Sequence, residues 1–229
     1  MGQICSGPRK TPGSDPPLPL LNRTMLLQAL RTVATSVAKT GGNLTVVAVG
    51  GAVNTIYLQS RETTRDIDFF NAYLGPDDVN KLATAARDAI KRNKGLGEDW
   101  FNSRALFFVP NDKHQALTDE AFSQREIIFE EPGLTVLAAP WNYAFCCKVD
   151  RIARAGHGDP RPYDLDDAMH YLARYLRPFK QDVGQIAREK IRAWFVRYSL
   201  EWTESTDEVL DRVSERYVTY FNLYYSVIT

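Results

Sequence analysis

Apolar positions follow a helical period in some segments of the chain and a strand period in others. Leu26, Leu30 and Val33 recur three or four residues apart, which predicts an amphipathic helix, whereas the run "LTVVAV" predicts a buried strand. Up to residue 140 the predicted elements are a helix at 22–39, a strand at 44–49, a short helix at 52–58, a strand at 63–70, a helix at 76–91, a helical turn at 98–102, a largely polar loop at 109–124 and strands at 125–131 and 134–139. This alternation favours a small mixed sheet flanked by helices.

From Trp141 onward the pattern is helical. The predicted helices are 141–155, 164–176, 181–199 and 205–226. We therefore expect an α+β fold in three parts: an irregular arm at 1–22, rich in Pro and Gly, an α/β core at 23–140 and a helical region at 141–229 packed on that core.

Aromatic residues are dense in the last predicted helix. Tyr217, Tyr220, Phe221 and Tyr224 lie at i, i+3, i+4 and i+7, which is typical of a stripe that faces the core. A stacking surface for nucleic acid is the alternative interpretation. Tyrosines beyond the stripe would suit a homodimer contact or a pocket for an acceptor substrate.

Composition narrows the functional classes. Among 229 residues, 28 Lys and Arg balance 28 Asp and Glu, so net charge gives no argument for nucleic acid as the main partner. Three cysteines form no disulfide framework and indicate a reducing compartment. The chain has no apolar run of transmembrane length, so we expect a cytoplasmic protein.

The first residues, "MGQICS", match the pattern for N-myristoylation. Gly2 would carry the acyl chain, and Cys5 is placed to carry a palmitoyl group. Because one acyl chain binds a membrane only marginally, the second signal matters. Peripheral membrane contact through this arm is one expectation, and a plain disordered tail is the other.

Two carboxylates stand in an apolar setting in "TTRDIDFF". With a strand period of two, Asp66 and Asp68 share one face with Thr64 and Phe70 and lie about 7 Å apart. Such a pair suits Mg²⁺ or Mn²⁺, and without a cation one pKa of the pair would rise. The preceding Gly50–Gly51 step lets the backbone approach a phosphate closely.

The order of apolar strand, Gly-Gly, short helix and D-h-D-h-h resembles the nucleotidyltransferase superfamily with the polymerase β-like fold. Gly50, Gly51, Asp66 and Asp68 match its pattern. The resemblance implies a metal-dependent transfer of a nucleoside monophosphate from an NTP to a hydroxyl of a small molecule, a protein or an RNA. Asn54 and Thr55, in the first turn of the short helix, would add donors for the nucleotide.

Later segments, "FEEPGLTVLAAPWNYAFCCKVDR" and "RPYDLDDAMHYL", resemble a little-characterised group of small nucleotidyltransferase-like proteins, some of them linked to toxin–antitoxin modules. The matches are Lys148, Asp164 and Asp167, with Arg151 and Arg161 as looser ones. A lysine that projects from the helix after the sheet can reach the phosphates, so we expect Lys148 to steady the triphosphate and Asp164 to hold Lys148 in place. A structural Lys–Asp pair between two helices is the equal alternative.

Active members of the superfamily usually carry a third carboxylate on a neighbouring strand. Glu126 and Glu130 are the candidates, and Glu130 is preferred as the third catalytic acid because it has apolar neighbours before it. Three functions follow: a nucleotidyltransferase, a catalytically reduced nucleotide-binding or antitoxin-like protein, or an interaction module that uses the arm and the aromatic helices.

Overall fold

The computed structural model describes residues 19–105, 109–155, 161–177 and 184–229. The predicted arm, with Gly2 and Cys5, lies almost wholly outside the described residues. In chain order the elements are β1 (Leu21–Asn22), α1 (Arg23–Lys39), β2 (Leu44–Val49), α2 (Gly51–Val53) running into a π-helical segment (Asn54–Leu58), β3 (Thr63–Thr64), β4 (Ile67–Phe70), α3 (Pro76–Arg92), β5 (Phe101–Asn102), a 3₁₀ turn (Asn111–Lys113), α4 (His114–Gln124), β6 (Ile127–Glu131), β7 (Leu134–Ala138), α5 (Trp141–Arg154), α6 (Asp164–Leu176), α7 (Arg188–Arg197) and α8 (Glu204–Phe221).

The predicted α+β fold is confirmed. A mixed five-stranded sheet has the order β5-β4-β2-β7-β6, with β2 antiparallel to β4 and parallel to β7. Central β2 is buried on both faces, since Val46, Val47 and Ala48 are all inaccessible to solvent. This double burial explains why the strand reads as a continuous apolar run rather than an alternating one.

The C-terminal helices pack on one another beside the sheet. α6 contacts α5 and α8, and α5 also contacts α7. α6 begins with Asp164, Asp166 and Asp167 in its first turn, where carboxylates interact favourably with the positive end of the helix dipole. Among the helices of the described ranges, none is long and apolar enough to cross a membrane.

The predicted strand at 63–70 is two strands. Thr63–Thr64 pairs with β1 in a separate two-stranded sheet, whereas Ile67–Phe70 pairs with β2 and β5. The chain bends between them, so Thr64 does not share a strand face with the carboxylates. Asp66 precedes β4, and Asp68 lies within it.

Three other sequence predictions differ from the structure. The polar loop at 109–124 contains the helix α4, which the sequence hides because its apolar positions form no clear stripe. The turn at 98–102 ends in the two-residue strand β5, and the helix predicted from 181 begins at Arg188.

The aromatic stripe does not face the core. α8 instead buries Val209, Leu210 and Val213. Tyr217 is half-buried, but Tyr220 is 56% exposed, Phe221 40% and Tyr224 94%. The core interpretation of these aromatic residues is therefore wrong for all but Tyr217.

Candidate functional site

The turn between β2 and α2 requires glycine at two positions for different reasons. Gly50 has φ 66° and ψ −135°, a conformation that residues with a side chain strongly disfavour. A Cβ built on Gly50 would meet no atom within 4 Å, so the backbone is open there. A Cβ on Gly51 would lie 2.2 Å from Oγ1 of Thr64, so Gly51 is needed for close packing against β3. The turn is thus open at Gly50 and tightly packed against β3 at Gly51.

The antiparallel register of β2 and β4 brings the carboxylate pair beside this turn. Val49 pairs with Asp68, so the next residues, Gly50 and Gly51, continue toward Asp66. Both aspartates are half-buried. The structure therefore brings together the glycine turn and the two carboxylates that the sequence singled out.

Burial and mutual repulsion shift the acidity of the pair. Burial, followed by the charge of Asp68, raises the pKa of Asp66 from 3.8 to about 6. Burial also raises the pKa of Asp68, against a hydrogen bond from Asn102 and the positive charge of Arg104, which both lower it. Two half-buried carboxylates that resist ionisation together are stabilised when a cation enters between them.

The strand beside β4 carries an amide next to the carboxylate pair. Asn102 of β5 pairs in register with Asp68. Its Nδ2 donates to the carbonyl of Asp99 at 3.0 Å, and its Oδ1 accepts from the amide of Arg104 at 2.9 Å. The place of Asn102 beside Asp68 was not predicted from the sequence.

Neither glutamate predicted as the third acid reaches the pair. Glu130 lies on edge strand β6, which β7 and β2 separate from β4, a span of about 14 Å across three strand spacings. It is exposed and pairs with Thr135, near the far end of β2. Glu126 precedes the same strand and instead accepts from Arg174 at 2.7 Å and from the hydroxyl of Tyr57. The prediction of Glu130 is corrected because β6 pairs only at the outer side of β7.

The side chains available as metal ligands limit the kind of metal centre that the site can hold. Within the described ranges, no group of three or more His, Cys, Asp or Glu side chains is placed to hold a metal ion. Asp66 and Asp68 fit a single hard cation bound by carboxylate oxygens, with water or phosphate completing the shell. They do not form the three-carboxylate set of a two-metal centre.

Lys148 lies in a buried cluster of charges rather than in open space. The charge cluster consists of Arg61, Lys148, Arg151, Asp164 and Asp167. Nζ of Lys148 lies 2.8 Å from Asp164 Oδ1 and 2.6 Å from Asp167 Oδ2. These contacts join α5 to α6, as the structural alternative for Lys148 predicts.

Arg61 was not predicted as a member of the charge cluster. Its Nε donates to Asp167 at 2.9 Å, and its guanidinium stacks 3.5 Å from the centre of the Tyr163 ring. Arg151 pairs with Asp164 and is partly exposed. Arg161 is not a member of this network, but it lies near enough to lower the pKa of Asp66.

The pKa values of Asp164 and Lys148 in the charge cluster are both lowered, for different reasons. Burial alone would raise the pKa of Asp164, but hydrogen bonding to Lys148 and its charge outweigh burial, so that pKa lies below 3.8. Burial, and then the charge of Arg151, lowers the pKa of Lys148 to about 7. The cluster has three cations for two carboxylates, so its positive members compete.

Asn54 connects the charge cluster to the glycine turn. Its Nδ2 donates to Asp167 at 2.6 Å, and its Oδ1 accepts from the hydroxyl of Tyr171, which also contacts the carbonyl of Gly50 at 3.2 Å. Asn54 is therefore fully engaged within the protein. Thr55 is buried, and its Oγ1 has no partner among the described residues.

A family model described as "Domain of unknown function (DUF7582)" matches residues 21–223. The match covers both the sheet and the C-terminal helices. No curated protein and no solved structure matches the chain.

Proposed function

This chain belongs to the DUF7582 family of domains of unknown function, and we propose that it binds a nucleoside triphosphate together with Mg²⁺ or Mn²⁺ beside the Gly50–Gly51 turn. The observation that carries the proposal is the register that sets Asp66 and Asp68 next to this turn. Asp66 forms no ion pair with the described residues, and burial together with the charge of Asp68 raises its pKa to about 6.

Each part of the site has a chemical task in this proposal. Asp66 and Asp68 hold the cation, which when bound offsets the charge of the triphosphate. The open backbone at Gly50 lets phosphate oxygens approach. Arg104 and Arg161, which lie near the pair, add positive charge for the phosphates.

Lys148 acts indirectly in this proposal. It positions α6, and through Asp167, Asn54 and Tyr171 the charge cluster supports the glycine turn. We assign Lys148 and Asp164 to this support rather than to the triphosphate.

The first candidate is nucleotide binding with little or no turnover, because Asn102 occupies the strand position beside Asp68. An amide cannot replace the charge of a third carboxylate. The second candidate is transfer of a nucleoside monophosphate to a hydroxyl acceptor, which the retained order of Gly50, Gly51, Asp66 and Asp68 favours.

Titration calorimetry of the full chain with each NTP, with and without Mn²⁺, tests the binding. We expect metal-dependent binding that Asp66→Asn and Asp68→Asn weaken by tenfold or more and that the matched control Glu130→Gln leaves unchanged. Equal binding by all four proteins, or no binding at all, contradicts the proposal. Pyrophosphate release measured in the same mixtures separates the two candidates.

A further inference from the structure

A cleft of about 570 Å³ lies between the ends of α6 and α8, with the π-helical segment as its floor. Three aromatic side chains of α8 form one wall: Tyr217, Tyr220 and Phe221. Phe221 lies 4.5 Å from Tyr217 and 4.9 Å from Tyr220 between ring centres, so the wall is continuous. Such exposed rings, in a cleft of ligand size, suit a flat apolar group.

The opposite wall is basic. Arg174 and Arg177 line the cleft from the C-terminal end of α6, and the guanidinium of Arg174 lies 4.9 Å from the ring centre of Tyr57 on the floor. Glu126 accepts from Arg174 at 2.7 Å, whereas Arg177 has no ion pair within the described ranges. Among the described residues that line the cleft, the charged ones are Arg174 and Arg177, and none is acidic.

His170 completes the aromatic side at the cleft's edge. Its ring meets that of Tyr220 edge to face at 5.2 Å. Asp166 and Arg216 are the charged groups nearest to it, and burial keeps its pKa below 6.5. The imidazole is therefore neutral at pH 7 and offers one donor and one acceptor to a polar edge.

We propose that this cleft is a second ligand site, which binds a nucleobase that carries a phosphate group. The base would stack on Tyr220 and Phe221, and the phosphate would pair with Arg177. Free mononucleotides and single-stranded RNA both contain this unit. The exposure of Tyr220 and Phe221, where a core-facing stripe would be buried, is the observation that favours a ligand.

The cleft shares none of its lining residues with the carboxylate pair. Tyr57 follows Gly51 by six residues, or about 9 Å of helix. The two proposals therefore fail independently. Loss of binding at Asp66 leaves the cleft intact, and disruption of the cleft leaves the glycine turn intact.

Fluorescence anisotropy of the full chain, in buffer with EDTA, tests the proposal with two labelled probes: a short single-stranded oligoribonucleotide and AMP. EDTA removes the metal-dependent site from the measurement. We expect saturable binding of at least one probe, weakened about tenfold by Tyr220→Ala with Phe221→Ala and by Arg177→Gln. Tighter binding of the oligonucleotide identifies RNA as the source, and equal binding identifies the free nucleotide.

Two matched controls come from α8 and the segment that follows it. Tyr224→Ala removes an exposed ring outside the cleft, and Arg212→Gln removes an exposed cation outside it. Both should bind as the unchanged protein does, as should Asp66→Asn. Circular dichroism establishes that each variant is folded. No binding of either probe, cleft variants that bind normally, or equal weakening by Tyr224→Ala would overturn the proposal.

Discussion

At the scale of single residues, Asn102 decides how much negative charge the carboxylate pair can present to a cation. It stands beside Asp68 in register, so its side chain lies on the same face of the sheet. A carboxylate there would complete a set of three acids on β4 and β5 and the residue before β4. The difference between an amide and an acid at one position thus separates the two candidate functions.

Asn102→Asp should tighten Mn²⁺ binding about tenfold, because a third carboxylate adds charge to the cation's shell. Titration calorimetry at pH 7.5 measures the change. Asn93→Asp adds the same charge at the end of α3 and serves as the matched control. If Asn102→Asp also produces pyrophosphate from NTP, the missing acid is what limits turnover. Unchanged Mn²⁺ affinity would contradict a metal site that includes Asp68 and the position of Asn102.

The acidity of Asp66 gives a second prediction at this scale. The folded state holds the proton of Asp66 more tightly than the unfolded state does, since its pKa is raised from 3.8 to about 6. The free energy of unfolding therefore falls as pH rises through this interval and stays low above it. Asp66→Asn removes that cost and should stabilise the metal-free protein at pH 7.5 by about 1 kcal/mol, or 2–4 °C in Tm.

Thermal unfolding in EDTA at pH 7.5 and at pH 4 measures this difference. The gain should be much smaller at pH 4, because the carboxyl is then protonated in the folded protein and partly protonated in the unfolded chain. Glu130→Gln, at an exposed position, should change Tm little at either pH. A lower Tm for Asp66→Asn at pH 7.5 would mean that Asp66 has a structural role instead.

At the scale of elements, the charge cluster determines how α5 and α6 pack. Arg61, Lys148 and Asn54 all donate to Asp167, so its loss leaves the three cations of the cluster with the single carboxylate of Asp164. Loss of Lys148 leaves Arg61 and Arg151 for two carboxylates, which is a balanced set. We therefore expect removal of Lys148 to cost less stability than removal of any other member of the cluster.

Asp167→Asn should lower stability by about 3–5 kcal/mol, as is usual when one partner of a buried ion pair is removed. Lys148→Met should cost less, because its buried charge is already disfavoured and its pKa lies at about 7. Urea unfolding at pH 7.5 measures both. An equal or larger cost for Lys148→Met contradicts this ranking. Strongly weakened NTP binding by a stable Lys148→Met protein would instead assign the lysine to the triphosphate.

Sequence alone predicted elements that have strong periodicity or a marked boundary. β2 was predicted at its observed bounds because a β-branched run lies between two glycine turns. α4 was missed because its apolar residues form no stripe, and β5 because two residues carry no period. These elements are fixed by packing against distant parts of the chain.

The residues of the site likewise fall into those that the sequence predicted and those that it did not. Gly50, Gly51, Asp66 and Asp68 lie within 19 residues of one another, and the order of strand, Gly-Gly, short helix and D-h-D-h-h predicted that they belong to one site. Arg61 pairs with Asp167, which is 106 residues away in the sequence, and no local sequence pattern predicts such a contact. Glu130 failed as the third acid because strand order in the sheet, which depends on tertiary pairing, puts it at the far edge.

At the scale of the whole molecule, the carboxylate pair and the aromatic cleft lie on different parts of the fold. The carboxylate pair lies on and just before β4, next to the edge strand β5, and the aromatic cleft lies at the far end of α6 from Asp164. α6 spans about 20 Å over its 13 residues, so one extended ligand of several nucleotides is long enough to touch both ends. A single nucleotide is not.

The N-terminal pattern gives the last prediction, which concerns where the whole molecule resides. The full chain, expressed in a eukaryotic cell that myristoylates proteins, should carry the acyl group on Gly2, and part of it should sediment with membranes. One acyl chain gives only marginal binding, so Cys5→Ser should shift most of the protein to the supernatant and Gly2→Ala all of it. Ser14→Ala, in the same arm, is the control and should sediment as the unchanged chain does. Mass spectrometry that finds Gly2 unmodified or acetylated would contradict the anchor, whatever the fractionation shows.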